Sequence, residues 1–236
     1  MNNFWNPIET WAQAKQSRRP QQQSNQQSNL GSTSLKATGR VSVILPVYNE
    51  QSCIRQTFET VLRYAADHPD FNFIFVNDGS RDRTKHILTV GIHTIKSPQI
   101  HLISYAPRAG KGYAIRRGVE YADSDYICYL DSDLAYSLDH LDRLVEKLRQ
   151  YDVVIGSRSL ATNDKDLHWS RKLAGKIFNL LARKILNLKL RDTQAGLKGF
   201  RREVAKDLFA RQSMTGFSFD VELIYLAKKR RCTIAE

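Results

Sequence analysis

Between residues 41 and about 156 the chain alternates short apolar runs with stretches of helical spacing. The runs are Val41–Val47, Phe71–Val76, Ile100–Tyr105, Tyr126–Leu130 and Val153–Ile155. Each is nearly continuous in apolar residues, the pattern of a strand buried on both faces. Between them Ile54, Phe58, Val61, Leu62 and Ala65 recur at helical spacing. So do Ile87–Val90, Ala114–Tyr121 and the set Leu138, Leu141, Leu144, Val145 and Leu148. Strand and helix in alternation predict an α/β domain with a mainly parallel central sheet flanked by helices. No internal repeat is visible.

Residues 1–40 break this pattern. Gln21–Asn29 is a Gln/Asn/Ser tract with nothing to bury, so a disordered tail is expected there, with the folded domain over 41–236. Phe4, Trp5 and Trp11 precede the tract and form either a small docking segment or a floppy start. Hydrophobic residues make up 42% of the 236 residues, enough for a core. Cys53, Cys128 and Cys232 are scattered and form no C-x-x-C, which argues against a disulfide framework or a cysteine zinc site and for a reducing, intracellular setting. No apolar run reaches the roughly 18 residues of a membrane span, and the N-terminus lacks the apolar core of a secretory signal.

In an open α/β sheet, ligands bind outside the carboxyl ends of the strands. After the first apolar run come Tyr48-Asn49-Glu50, after the second Asn77-Asp78-Gly79-Ser80, and after the fourth Asp131-Ser132-Asp133. An acid at a strand end is often only a helix cap, and Glu50 and Asp78 taken singly are open to that reading. Asp131 and Asp133 repel each other unless a cation lies nearby. Oxygen ligands of this kind suit Mg²⁺ or Mn²⁺, which take one or two carboxylates and complete their shell with phosphates and water. A G-x-x-x-x-G-K-[ST] loop and a G-x-G-x-x-G fingerprint are both absent, which argues against a P-loop NTPase and a dinucleotide site. A donor with a diphosphate leaving group remains.

The segments VSVILPVYNE, FIFVNDGSRDRT and RAGKGYAIRRGVEYADSDYICYLDSD, in this order and spacing, resemble the nucleotide-binding half of family 2 glycosyltransferases. The resemblance covers about residues 41–236 and implies the GT-A fold, a Rossmann-like nucleotide-binding α/β architecture. GSR at 156–158, RDTQAGLKGFRR at 191–202 and FSFDVELIYLAKK at 217–229 are similar to the branch that transfers a sugar to a polyprenyl or dolichyl phosphate, especially the dolichyl-phosphate β-glucosyltransferase type.

By that resemblance Pro46, Tyr48 and Glu50 contact the nucleotide, and Asp78, next to Val76, meets its base or ribose. Asn77 stands where the family often has a second acid. Gly110 and Lys111 occupy the G-K-G loop. Asp131 and Asp133, flanking Ser132, form the D-x-D that binds the metal and serves catalysis. Arg158, Lys198 and Arg201 match basic positions that face donor or acceptor phosphates. Ala135 stands where the mannosyl branch has a metal-assisting Gln, which favours a glucosyl donor. The resemblance thus implies a metal-dependent, inverting transfer from a nucleotide sugar, UDP-glucose ahead of GDP-mannose, to a polyprenyl or dolichyl phosphate. A lipid phosphate is already anionic and can attack without a general base. Asp192 and Asp220 could position groups, or could be a turn residue and a helix cap.

A polysaccharide acceptor is the alternative, but its Q-x-x-R-W motif is missing. A basic nucleic-acid-binding module would explain a net charge of +12 but not the acids on one rim, so no nucleic-acid partner is expected. The charge is unevenly spread: +4 over residues 1–40, +1 over 41–130 and +7 over 131–236. Residues 165–202 hold eleven Lys or Arg against two acids. Within them Leu173, Ile177, Leu180, Leu181 and Ile185 form an apolar stripe, with Lys172, Lys176, Arg183 and Lys184 outside it. Such a helix either packs on the domain or lies on an anionic membrane surface. With a lipid acceptor, peripheral attachment to the cytoplasmic side of a membrane is expected. In the family more chain follows the segment Thr233–Glu236, so either a short C-terminus or a fragment is expected, with transmembrane segments beyond it left open. Each well-placed cation adds about 1 kcal/mol of attraction near such a surface. Replacing Lys172, Lys176, Arg183 and Lys184 by Gln should therefore reduce sedimentation with anionic liposomes, and unchanged sedimentation would remove the membrane-helix reading.

Overall fold

In the computed structural model, residues 39–157 and 195–236 are described. The tail expected over 1–40, up to residue 38, and the basic stretch with Arg158 and Asp192 lie outside the described residues.

The five apolar runs are strands: β1 (Val41–Val47), β2 (Phe71–Asp78), β3 (Ile100–Tyr105), β4 (Tyr126–Leu130) and β5 (Val153–Ile155). Two more follow, β6 (Leu197–Arg201) and β7 (Ile234–Ala235). They form one sheet in the order β3-β2-β1-β4-β6-β5-β7. β1 pairs in parallel with both β2 and β4, and β2 in parallel with β3. β6 is antiparallel to both β4 and β5, while β5 and β7 are parallel. The sheet is therefore mostly parallel, as the alternation predicts, with one reversed strand that the apolar pattern does not reveal. Every residue of β1 is buried, which is why its sequence reads as a continuous apolar run rather than an alternating one.

Six helices are described: α1 (Ile54–Asp67), α2 (Thr84–Ile95), α3 (Lys111–Tyr121), α4 (His140–Leu148), α5 (Arg202–Ala210) and α6 (Phe219–Lys229). The stripe expected for α1 is the one it buries, with Thr57 and Tyr64 added. α2 is longer than Ile87–Val90 suggests. It buries only Thr84, Leu88 and Gly91, so its apolar periodicity is weak. α3 packs on β1 and β2, and α4 on β5 and β6. Among the described residues no helix is long and apolar enough to cross a membrane.

The sheet order reverses direction at β1, with β2 on one side and β4 on the other, so their carboxyl ends form a crevice. α3 reaches this rim by lying close on the sheet. A Cβ placed on Gly118 would sit 2.5 Å from Ile44 Cγ2 and 2.9 Å from its Cγ1, and Ile44 is fully buried. Alanine is the better helix former by roughly 1 kcal/mol, but overpacking a rigid β-branched core costs about 1–3 kcal/mol. Gly118→Ala should lower the unfolding free energy by a net of up to about 2 kcal/mol, read as a lower urea midpoint at unchanged slope; a raised midpoint would show that the contact yields.

Candidate active site

The loop after β1 and the loop after β2 are stitched together by short polar side chains. Asn49 takes a left-handed conformation, φ 56°, which Asn tolerates better than most residues. Its amide donates to Ser80 Oγ at 3.0 Å, and its side-chain oxygen accepts from the Arg81 amide at 2.9 Å. The Glu50 amide donates to Thr84 Oγ1 at 2.8 Å, and the Gln51 amide to Asp82 at 3.1 Å. The Glu50 carboxylate stays at the rim, where it accepts the Cys53 thiol at 3.0 Å. Burial, then the bond to Glu50, pushes the Cys53 pKa up to about 11, so this thiol stays protonated at neutral pH.

Asp78 is turned inward to the loop that precedes α3. Its Oδ1 accepts from the Ala109 amide at 2.7 Å and its Oδ2 from the Gly110 amide at 2.9 Å. Arg108 Nε lies 3.6 Å from the same carboxylate, and its guanidinium sits 4.0 Å over the Tyr48 ring. Gly79 makes this approach feasible: its φ is +65°, and a Cβ there would stand 2.6 Å from the Arg108 amide nitrogen. The Thr215 carbonyl accepts from the Gly112 and Tyr113 amides, at 2.8 and 3.2 Å, and so caps the start of α3.

Asp131 and Asp133 emerge from β4 as expected. Thr57 of α1 donates to the Ser132 carbonyl at 2.7 Å and holds the turn between them. Asp133 Oδ1 accepts from the Ala135 amide at 3.0 Å. Lys111 Nζ lies 2.5 Å from Asp131 Oδ1. Burial lifts the Asp131 pKa above the usual carboxylate range; Lys111 opposes the lift, and Asp133 and Asp220 add to it. Burial also works against the Lys111 charge, yet Asp131, Asp220 and Asp133 hold its ammonium pKa above its ordinary value. Asp131 thus retains its proton more readily chiefly because it is buried, and Lys111 because carboxylates surround it.

These groups line one cleft of ≈ 240 Å³ with Pro46, Tyr48, Glu50 and Asp78 on one side and Asp131, Ser132 and Asp133 on the other. Arg108, Lys111 and Phe217 complete its walls. Among the described residues no cluster of three or more Asp, Glu, His or Cys side chains forms a closed metal cage. The donor set nonetheless fits Mg²⁺ or Mn²⁺. Asp131 and Asp133 supply oxygen only, and such ions take their remaining ligands from phosphates and water. Asp131 and Asp133 are thus the residues that could hold the cation.

Three expected donor contacts fall elsewhere. Val76 is fully buried in β2 opposite Pro46 and does not line the cleft. Lys198 is also fully buried, bound to Asp220 and to the Ala195 carbonyl at 2.7 Å each, so its ammonium does not face a phosphate. Arg201 lies at the far end of the sheet. β6 runs against β4, so Leu197 pairs with Leu130 at the rim while Arg201 pairs with Tyr126 at the opposite end. There its guanidinium donates to the Leu148 and Arg149 carbonyls at the end of α4. Besides the apolar Val47 and Ala114, two cleft residues with chemistry of their own escape sequence reasoning. Arg108 sits in the R-A-G-K-G run and Phe217 in F-S-F-D, and neither segment indicates which side chain turns to the cleft.

The description "Glycosyl transferase family 2" belongs to the family model that matches residues 42–209. A dolichyl-phosphate beta-glucosyltransferase of Trichomonas vaginalis is 31% identical over 207 residues, covering 82% of this chain and 61% of its own length. The Dictyostelium discoideum enzyme of the same description is 30% identical over 211 residues, 83% of this chain and 64% of its own. The human one is 29% identical over 214 residues, 84% and 66%. The chain thus spans a little under two thirds of the length of these relatives. Among solved structures, glucosyl-3-phosphoglycerate synthase from Mycobacterium tuberculosis, in complex with Mn²⁺, UDP and phosphoglyceric acid, superimposes with a TM-score of 0.61 at 19% identity. That match covers 100% of this chain and 73% of the other, and it shows the GT-A fold.

Arg201 and the cleft can be separated by substitution. Arg201→Met should cost about 1–2 kcal/mol of stability through the lost carbonyl bonds and leave UDP affinity unchanged; a loss of UDP affinity in the folded variant would restore Arg201 to the site.

Proposed function

The chain belongs to glycosyl transferase family 2, and on that footing we propose that it transfers a sugar, glucose first, from a nucleotide sugar to a polyprenyl or dolichyl phosphate. The observation that carries the reading is the convergence of Asp131, Asp133 and Lys111 with Tyr48, Glu50 and Asp78 in one cleft at the switch point of the sheet. The similarity to dolichyl-phosphate beta-glucosyltransferases supports the acceptor and the glucosyl donor. UDP-glucose is the proposed donor, ahead of GDP-mannose. The reaction takes place at a membrane surface, with the chain attached peripherally.

Each group has a physical task in this reading. The Tyr48 ring and the Arg108 guanidinium present flat faces to the nucleoside end of the donor. Asp78 keeps the Arg108–Gly110 loop against β2 through its two amide bonds. Lys111, Asp131 and Asp133 stand at the diphosphate end, Lys111 as a fixed positive charge and the two acids as holders of Mg²⁺ or Mn²⁺. When bound, that ion offsets the charge that develops on the departing diphosphate. The acceptor phosphate is already ionised, so the attacking oxygen has no proton to lose. This agrees with the state of Asp220, which is buried, with its Oδ1 taken by Lys198 and Tyr129.

Asp131→Ala and Asp133→Ala should each lower transfer at least about 100-fold while keeping the parent unfolding transition. The assay is a panel of nucleotide sugars with a polyprenyl phosphate and Mg²⁺ or Mn²⁺. Near-full activity in either variant would sink the metal assignment. Transfer to a soluble glycan but not to the lipid phosphate would sink the acceptor.

A further inference from the structure

Lys198 and Asp220 form a buried ionic group that is not among the residues lining the cleft. Lys198 is 0% exposed and Asp220 5% exposed. Asp220 Oδ1 accepts from Lys198 Nζ at 2.7 Å and from the Tyr129 hydroxyl. Lys198 Nζ also donates to the Ala195 carbonyl at 2.7 Å. A buried pair of this kind contributes little net stability over an apolar replacement, so its placement calls for another account.

From this pair three connections lead to Asp131. The first runs through Ala195: the next residue, Gly196, accepts the Asp131 amide on its carbonyl at 3.1 Å. Gly196 also packs so closely that a Cβ there would overlap the Asp131 carboxylate. Lys198 therefore pins the stretch of backbone against which Asp131 rests. The second runs through Tyr129, two residues before Asp131 on β4. The third runs through α6. Asp220 anchors its first turn, and Glu222 in the same turn accepts the Ser213 amide and hydroxyl at 2.9 and 2.6 Å and the Met214 amide at 2.8 Å. That loop carries Thr215, whose carbonyl caps α3 at Gly112 and Tyr113, beside Lys111. Lys111 closes the circuit on Asp131 Oδ1.

We propose that Lys198 and Asp220, with Tyr129, are positioning residues that set the place of Asp131 and its Lys111 partner in the cleft. They act through Gly196, β4 and the 213–215 loop and touch neither donor nor acceptor. The inference rests on the reading of Asp131 as a metal-holding residue in a donor cleft.

Two variants of the full chain test it. Lys198→Met combined with Asp220→Leu replaces the pair by apolar side chains of similar size, the exchange that buried pairs tolerate best. Tyr129→Phe removes one donor and leaves the pair. The readouts are the Mn²⁺ concentration needed for half-maximal UDP binding, measured by calorimetry, and hydrogen exchange at the Asp131 amide. In the double variant the parent unfolding transition should persist, the Mn²⁺ requirement should rise roughly 10–100-fold, and the Asp131 amide should exchange faster. Tyr129→Phe should shift both readouts in the same direction by less. A folded double variant whose Mn²⁺ requirement stays within about twofold of the parent overturns the proposal and leaves the pair a packing element. Should the double variant not fold, Tyr129→Phe decides, and unchanged values overturn the proposal. A parent chain that binds no UDP at any Mn²⁺ concentration refutes the donor reading instead, while exchange at Asp131 still reports on the pair.

Discussion

The reversal of strand order at β1 is the constraint on which the site depends. β2 and β4 flank β1 in parallel, so all three strands end on one rim. Within the sheet almost every position of these strands is buried and apolar. Polar chemistry is thereby pushed to the ends of the strands. Asp78 closes β2 and Asp131 follows β4 directly. A one-residue slip in register would bury these acids among Val and Ile side chains, at the cost of desolvating a carboxylate. The packing that makes the core therefore also fixes the rim.

The acids on that rim divide by what their partners are. A helix-cap reading of Glu50 and Asp78 fails on geometry. The N-cap of α1 is Cys53 and has no side-chain cap bond, and Asp78 bonds the amides of a loop 31 and 32 residues away rather than those of the next helix. Asp78 is occupied by backbone, so its charge holds the shape of the cleft. Asp131 is met by a side chain, Lys111, rather than by backbone. The difference between an amide and an ammonium partner is what separates a structural carboxylate from one available to a ligand.

The strands and the acids were legible in the sequence because a doubly buried strand is apolar along most of its length, so its acids stand out at the ends. β6 was not legible. Leu197-Lys198-Gly199-Phe200-Arg201 alternates too briefly to announce a strand, and nothing in it reports the direction of travel. That direction decides the role of its cations. In a strand parallel to β4, Arg201 would have approached the rim; in the antiparallel strand it lies at the far end, on the carbonyls of α4. Lys198 is misread for a related cause. The family resemblance places a lysine near phosphates, but only packing reveals that Asp220, 22 residues later, has claimed its ammonium. Phe217 and Arg108 are loop residues, and their approach to the cleft depends on contacts between segments distant in sequence.

Charge at the cleft completes the physical account. Its walls carry four carboxylates, Glu50, Asp78, Asp131 and Asp133, against two cations, Arg108 and Lys111, a formal balance of 2 − 4 = −2. Arg108 lies by Asp78 and Lys111 by Asp131, so among the described residues of the cleft Glu50 and Asp133 have no cation of their own. A nucleoside diphosphate sugar is itself an anion, and a net negative wall repels it. On the proposed reading, one divalent cation would supply two positive charges. It would do so beside Asp131 and Asp133, at the end of the cleft where the diphosphate is expected. The overall charge of +12 is therefore no property of the whole surface: the described walls of the cleft are acidic, and a divalent cation held at Asp131 and Asp133, as proposed, would let an anionic donor approach them.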